Sequence, residues 1–384
     1  ARFLSGGDYM KQISFENIDF GGFWEAKQNT NRDVTMPVVY KQFYDTGRIT
    51  AFACDWRPGE EKKPHWFWDS DVAKWIEGVA YSLINAPDEN LEEVIDIVVD
   101  WIYDNQFVDG YFNIYHTVCD PTRRFTNRDA HELYCAGHLI EAAIAYHKAT
   151  GRDRFLKIME RYCDLIERVF LKENSAEFMT PGHEEIELAL IKLYRHTKNE
   201  KYLNMARFFL EMRGNNKKDK PIYEDNLFGS QDDVDIHHLE RANGHCVRAL
   251  YLYSGIADLA AETYDTLLFE NLEKVFADIT NGKMYITGGV GSTPTTESFT
   301  VPYDLPNRTA YTESCCAVAM MMFASRMRKL SKQAKYGHLS ERVLYNAMLS
   351  STSLDGKSFF YENPLEINLS ERFPSVWGAR RFPA

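Results

Sequence analysis

Apolar residues recurring at helical spacing, pair after pair, constrain this chain more than any other feature. Val72, Trp75, Ile76, Val79 and Leu83 fall at i, i+3, i+4, i+7 and i+11, a single stripe along one helix. The same period predicts helices over about 91–105, 130–149, 154–172, 184–196, 201–213, 236–257, 261–276, 311–330 and 337–350. Polar connectors of similar design join them, among them Ala-Pro-Asp-Glu-Asn-Leu, Thr-Gly-Arg-Asp-Arg-Phe and Thr-Lys-Asn-Glu-Lys-Tyr-Leu. Each runs into an aromatic or aliphatic residue that opens the second helix of a hairpin. Aligned on Asp88, Arg152, Asn199, Glu262 and Lys335, the connectors recur 47 to 73 residues apart. That spacing is too irregular for an open solenoid and suits a toroid of helix pairs. A closed ring of six hairpins needs two helices more than the ten counted, and the missing pair is expected beyond residue 384. Residues 1–40 roughly alternate (Ile13, Phe15, Ile18, Phe20, Phe23) and are expected as short strands or an extended strap. Residues 41–384 are expected to form the helical domain.

With 45% hydrophobic residues over 384 positions, the chain can bury a large core. Its net charge of −12 disfavours a nucleic-acid backbone as partner. The longest apolar run, Cys315 to Ala324, is about half of the roughly 18 residues a membrane span requires. The opening Ala-Arg-Phe-Leu-Ser-Gly-Gly-Asp has no apolar signal region, so a cytoplasmic or already processed chain is expected. Seven cysteines, including adjacent Cys315 and Cys316, do not read as a disulfide framework, and a reducing compartment follows. Aromatics at 14% suit a pocket that stacks on flat, hydroxyl-bearing ligands, although any large core also contains them.

The densest chemistry lies in Tyr311-Thr312-Glu313-Ser314-Cys315-Cys316, at the entry to an apolar helix. Free N–H groups and the helix dipole favour a carboxylate and a thiolate there. Glu and Cys are competent zinc ligands, but in a regular helix residues two apart point roughly 200° from one another. Glu313 and Cys315 can therefore share an ion only if Glu313 sits on the irregular entry. Two buried cysteines and a capping Glu are the plainer alternative. Glu297, flanked by Phe299 and Pro302 in a long Gly-rich loop, could keep its proton near neutrality and act as a general acid. Glu297 and Glu313 also qualify as the carboxylate pair of a glycosidase. His131 and His183 fall at the start of predicted helices and His245 within one, and a convergent histidine set suits hydrogen bonding to sugar hydroxyls. No histidine follows His131 at the fourth position, so the metalloprotease signature is absent. A metal triad of His131, Cys135 and His138 is set aside, since two histidines seven residues apart on a helix are too far apart to grip one ion.

Together these segments resemble the bacterial β-L-arabinofuranosidases of glycoside hydrolase family 127. The matching stretches are Trp68 to Trp75, His131 to His138, Gly182 to Ala189, and Ile286 through Glu297 and Tyr303-Asp304-Leu305-Pro306-Asn307 to Cys315. The resemblance implies an all-α catalytic domain, an (α/α)6 barrel, followed by β-sandwich domains absent from this chain. It implies a retaining glycosidase that releases L-arabinofuranose from β-L-arabinofuranosides, with a zinc-bound cysteine as nucleophile. By the same resemblance Glu297 is the general acid/base, Glu313 and Cys315 are zinc ligands, and His131, His183, His245 and Tyr361 hold the sugar. The family's nucleophile and fourth zinc ligand form an adjacent Cys-Cys pair downstream of Tyr361-Glu362-Asn363-Pro364-Leu365-Glu366, and this chain stops before it. Carbohydrate is the expected partner, nucleic acid and membrane are not, and a homodimer is left open. A sugar epimerase or unsaturated-uronide hydrolase on the same toroid, and a non-catalytic carbohydrate-binding fragment, are the alternative readings.

Overall fold

In the computed structural model, which describes residue 13, residues 17–221 and residues 227–366, helices begin earlier than the alternation near the N-terminus suggests. Residues 22–45 are helical, as α1 (Gly22–Thr30) and α2 (Met36–Asp45) joined by a π-helical turn, Asn31–Thr35. This corrects the expectation of strands up to residue 40. The physical reason is the lack of a buried alternating face, since Phe20 and Phe23 are exposed. The helix is held by side packing instead: Trp75 Nε1 donates to the Met36 carbonyl at 3.1 Å, and Tyr40 stacks on Trp75. A helix is thus gained within the chain, where both missing ones had been expected beyond it. The part of the 1–40 expectation that falls on residues 1–12 and 14–16 lies outside the described residues.

The predicted stripes all become helices. They are α3 (Trp68–Leu83), α4 (Glu89–Asn105), the short α5 (Ile114–Val118), α6 (Glu132–Thr150), α7 (Arg154–Ile166), α8 (Ile186–Thr197) and α9 (Glu200–Met212). Further on come α10 (Cys246–Thr263), α11 (Thr266–Asp278), α12 (Ser314–Ser331) and α13 (Ala334–Val343). Among the described residues the β structure consists of isolated bridges. The fold class is therefore all-α, made of helical hairpins. No helix among the described residues is long and apolar enough to cross a membrane.

Each hairpin joins helices of different character. In α6 the residues from Glu132 to Tyr146 are all buried, whereas α7 buries one face through Phe155, Ile158, Met159, Tyr162 and Ile166. An all-round buried helix sits inside its unit, and an amphipathic one covers it. The polar connectors act as caps. Asp88 accepts from the Asn90 and Leu91 amides at the start of α4, and Asp265 does the same for Leu267 and Leu268 at α11. Gly151, Lys198, Tyr264 and Lys332 take left-handed conformations that end α6, α8, α10 and α12.

The chain divides into two compact units between Phe209 and Leu210. In the first, α6 packs against α3, α7 and α8. In the second, α12 packs against α10 and α13. Each unit carries its own group of candidate functional residues.

Candidate active site

In the second unit, the long Gly-rich loop that carries Glu297 is pinned by backbone bonds. Tyr285 N bonds Gly289 O at 2.9 Å, Ser292 N bonds Ser298 O at 3.2 Å, and Phe299 N bonds Gly244 O at 2.9 Å. These bonds press the loop against the start of α10, where Cys246 N donates to the Glu297 carbonyl at 2.9 Å. Glu297 itself adopts a left-handed conformation, φ 53°, at the turn. A non-glycine residue held there is a mild strain that surrounding bonds must impose. Its carboxyl is buried and meets the His245 ring, Oε2 to Nε2 2.8 Å.

His245 is not inside a helix, contrary to expectation. Helix α10 begins at Cys246, ten residues later than the apolar pattern suggests, and His245 is its N-cap. Gly244, with φ 68°, turns the chain immediately before it, and Ile236, Leu239 and Ala242 bury their side chains without forming a helix. The His245 side chain accepts from the Arg248 amide. An imidazole whose Nδ1 accepts carries its proton on Nε2, so the ring donates to Glu297.

Glu313 sits where the sequence required it to sit. It is the N-cap of α12, with extended ψ of 142°, and lies just outside the regular helix. Its buried carboxylate is hydrogen-bonded to Cys315 and Tyr361 and accepts from the Tyr311 hydroxyl at 3.1 Å. Burial holds its pKa above the usual carboxylate value, with His245 and Glu297 close enough for their charges to act on it. The carboxyls of Glu297 and Glu313 and the Cys315 thiol therefore occupy one corner. Cys315 is exposed, while Cys316 is buried, a free thiol hydrogen-bonded to the Cys246 thiol.

Backbone contacts fix this corner. Tyr311 N and Thr312 N both donate to Gly291 O, at 3.1 and 3.0 Å, and Gly291 needs its φ of 97° to present that carbonyl. Asn363 Nδ2 donates to Thr312 O and Ser314 Oγ, and Ser314 N donates to Tyr361 O at 3.0 Å. Tyr361 thus belongs to the Glu313 corner, with its ring 6.4 Å from that of Tyr311. Tyr311 was not anticipated; its signal was a tyrosine two residues before the ligand-type Glu.

In the first unit the structure brings His131 and His183 together, their ring centroids 5.9 Å apart. His131 caps α6 in a left-handed conformation and points Nδ1 at the Asp129 carbonyl, 2.6 Å away. His183 lies ahead of α8 with Nδ1 2.9 Å from Glu184 O. Tyr134, one helical turn after His131, links them, 4.3 Å from His183 and 5.3 Å from His131. Lys74 donates to its hydroxyl at 2.7 Å. Spacing of three from His131 was the available sign of Tyr134. His138 is buried and meets Glu185, Nδ1 to Oε1 3.3 Å.

Comparison with known proteins identifies the family. Residues 18–379 match the family model described as β-L-arabinofuranosidase, GH127 catalytic domain. The chain is 37% identical over 319 residues to a non-reducing end β-L-arabinofuranosidase of Bifidobacterium longum subsp. longum, covering 78% of this chain and 48% of that protein. It also resembles the crystal structure of a GH127 β-L-arabinofuranosidase from Geobacillus stearothermophilus T6, at 41% identity and a TM-score of 0.86. That match covers 91% of this chain and 58% of the other. A solved unsaturated glucuronyl hydrolase specific for heparin shares the fold at 17% identity and a TM-score of 0.51. The chain spans about half the length of the curated relative it matches.

Proposed function

This chain belongs to the GH127 β-L-arabinofuranosidase catalytic-domain family, and on that premise we propose that its protein is a retaining glycoside hydrolase releasing L-arabinofuranose from β-L-arabinofuranosides. The observation that carries the proposal is the buried Glu297 carboxyl, oriented by His245 at 2.8 Å in the same corner as Glu313 and Cys315. Glu297 delivers a proton to the departing glycosidic oxygen, then takes one from the water that hydrolyses the glycosyl intermediate. His245, donating through Nε2, fixes Oε2 and with it the direction of the carboxyl. His131, His183, His245 and Tyr361 offer the donors and acceptors that furanose hydroxyls require.

Zinc fits the donors this corner presents. A carboxylate and a thiol already in contact, Glu313 and Cys315, are a hard and a soft ligand that borderline zinc accepts together, and they supply two of the usual four. Bound zinc would provide the positive charge that keeps a nucleophilic sulfur deprotonated. Tyr311 holds Glu313 ready through its hydroxyl. Cys316, buried and hydrogen-bonded to Cys246, is not positioned to serve as the nucleophile.

The test is Glu297→Gln in the full-length protein, assayed on aryl β-L-arabinofuranosides of graded leaving-group ability. General acid catalysis contributes about 10²–10⁴-fold, so hydrolysis of the poorest leaving group should fall by about that factor and that of the best much less. Equal losses across the series would remove Glu297 from the acid role. Chelation before assay separates the zinc reading from a Glu297/Glu313 carboxylate pair, which needs no metal.

A further inference from the structure

A second cluster of ligand-type side chains lies in the first unit, and the sequence had set part of it aside. His138 and Glu141 are three residues apart on α6, so they share a face. Glu185, immediately ahead of α8, meets them from the other side, with Oε1 3.3 Å from His138 Nδ1. Gly137 permits this approach, because a Cβ there would lie 2.6 Å from Glu185 Cγ. One donor atom from each of His138, Glu141 and Glu185 falls within 4.8 Å of the other two. A tetrahedral ion with donors about 2.1 Å away places them about 3.4 Å apart, so a small inward rotation suffices.

Burial and charge point to a ligand. His138, Glu141 and Glu185 are 4%, 6% and 0% exposed. Neither oxygen of Glu185 receives a hydrogen bond of good geometry, although this is a buried carboxyl group. Lys192 donates to Glu141 Oε1 at 2.8 Å and to Glu77 Oε1 at 2.6 Å. Lys192 therefore pairs with Glu77 and Glu141 while its charge also reaches Glu185, and the charge of Lys74 reaches His138 as well.

We propose that His138, Glu141 and Glu185 bind one divalent transition-metal ion, of the zinc or manganese class, separate from the Glu313/Cys315 corner. One imidazole nitrogen and two carboxylate oxygens suit such borderline ions better than thiolate-seeking or all-oxygen ones. The ion ties α6 to the entry of α8. Lys192 stays bonded to Glu141 as an outer support. Tyr134 lies between this centre and His183, 4.6 Å from the His138 ring and 4.3 Å from His183. The centre thus stiffens the base of the histidine pair without touching a ligand bound there. It does not depend on the glycosidase reading.

The experiment compares the full-length protein with Glu185→Gln, each stripped by chelator and reloaded with Co²⁺ or Zn²⁺. Elemental analysis should show Glu185→Gln binding one equivalent less than the parent. The thiolate-to-cobalt absorption, which reports cysteine-bound metal, should be unchanged. Added Zn²⁺ should raise the melting temperature of the parent more than that of the variant. His138→Gln repeats the measurement should Glu185→Gln fail to fold, as judged by circular dichroism. Equal metal content in parent and variants would overturn the proposal.

Discussion

Glu313 depends on its neighbour Tyr311. Tyr311 is completely buried, and its hydroxyl donates to Glu313 Oε2 at 3.1 Å. A buried carboxylate that loses a donor bears a desolvation penalty of about 1–3 kcal/mol. Tyr311→Phe should therefore lower the unfolding free energy by about that amount in urea titrations. The same change frees the carboxylate to rotate, and loss of an outer partner weakens metal sites by about 10–100-fold. A double-mutant cycle with Glu313→Gln isolates the pair. Purely additive effects would mean that Tyr311 only packs. Sequence reading could nominate Glu313 and Glu297 by residue type and setting. It could not pair Glu297 with His245, because 52 positions separate them and only the loop's bonds to the start of α10 bring them together.

At the scale of elements, the strength of each periodic signal decided what was legible. The stripe on α3 and the capped connectors at Asp88 and Asp265 carry both spacing and chemistry, so those hairpins were readable. Residues 22–45 carry few buried side chains of their own and owe their helix to packing on Trp75, which no local pattern encodes. The error at residues 236–245 has the opposite origin. Ile236, Leu239 and Ala242 imitate a helical period while burying themselves in an irregular segment. Gly137 shows how one residue sets the distance between elements. By propensity alone, alanine in the middle of α6 would stabilise it by about 1 kcal/mol. Its Cβ, however, would stand 2.6 Å from Glu185 Cγ and 3.0 Å from Ile186 N, and backbone does not yield cheaply. Gly137→Ala should therefore destabilise by about 1–3 kcal/mol, read from urea midpoints. A gain in stability would show that α6 and the entry to α8 are not tightly apposed.

Across the molecule, carboxyl groups are buried well beyond the corner holding Glu297 and Glu313. Asp69 accepts from the Ile114 amide at 2.9 Å, and Glu132 accepts from the Tyr111 hydroxyl and the Phe125 amide at 2.5 and 2.7 Å. Burial nevertheless dominates these bonds and raises both groups to about 7. In the folded protein Glu132 thus keeps its proton where the unfolded chain, near 4.5, has released it. The stability this contributes is complete below about pH 4.5 and is lost as pH rises through about 7. Buried neutral histidines such as His116 and His138 act in the opposite sense, since their lowered pKa values withdraw stability as pH falls below their model value of 6.5. The overall curve blends the two, so the decisive quantity is a difference. Glu132→Gln keeps the shape and removes the titration. Relative to the parent it should gain on the order of 3 kcal/mol between pH 4 and pH 8, at about 1.4 kcal/mol per pKa unit. Urea denaturation of both proteins across that range measures it. A difference that stays constant with pH would mean that Glu132 is solvated and that the Tyr111–Glu132 contact is not the dry pair described above.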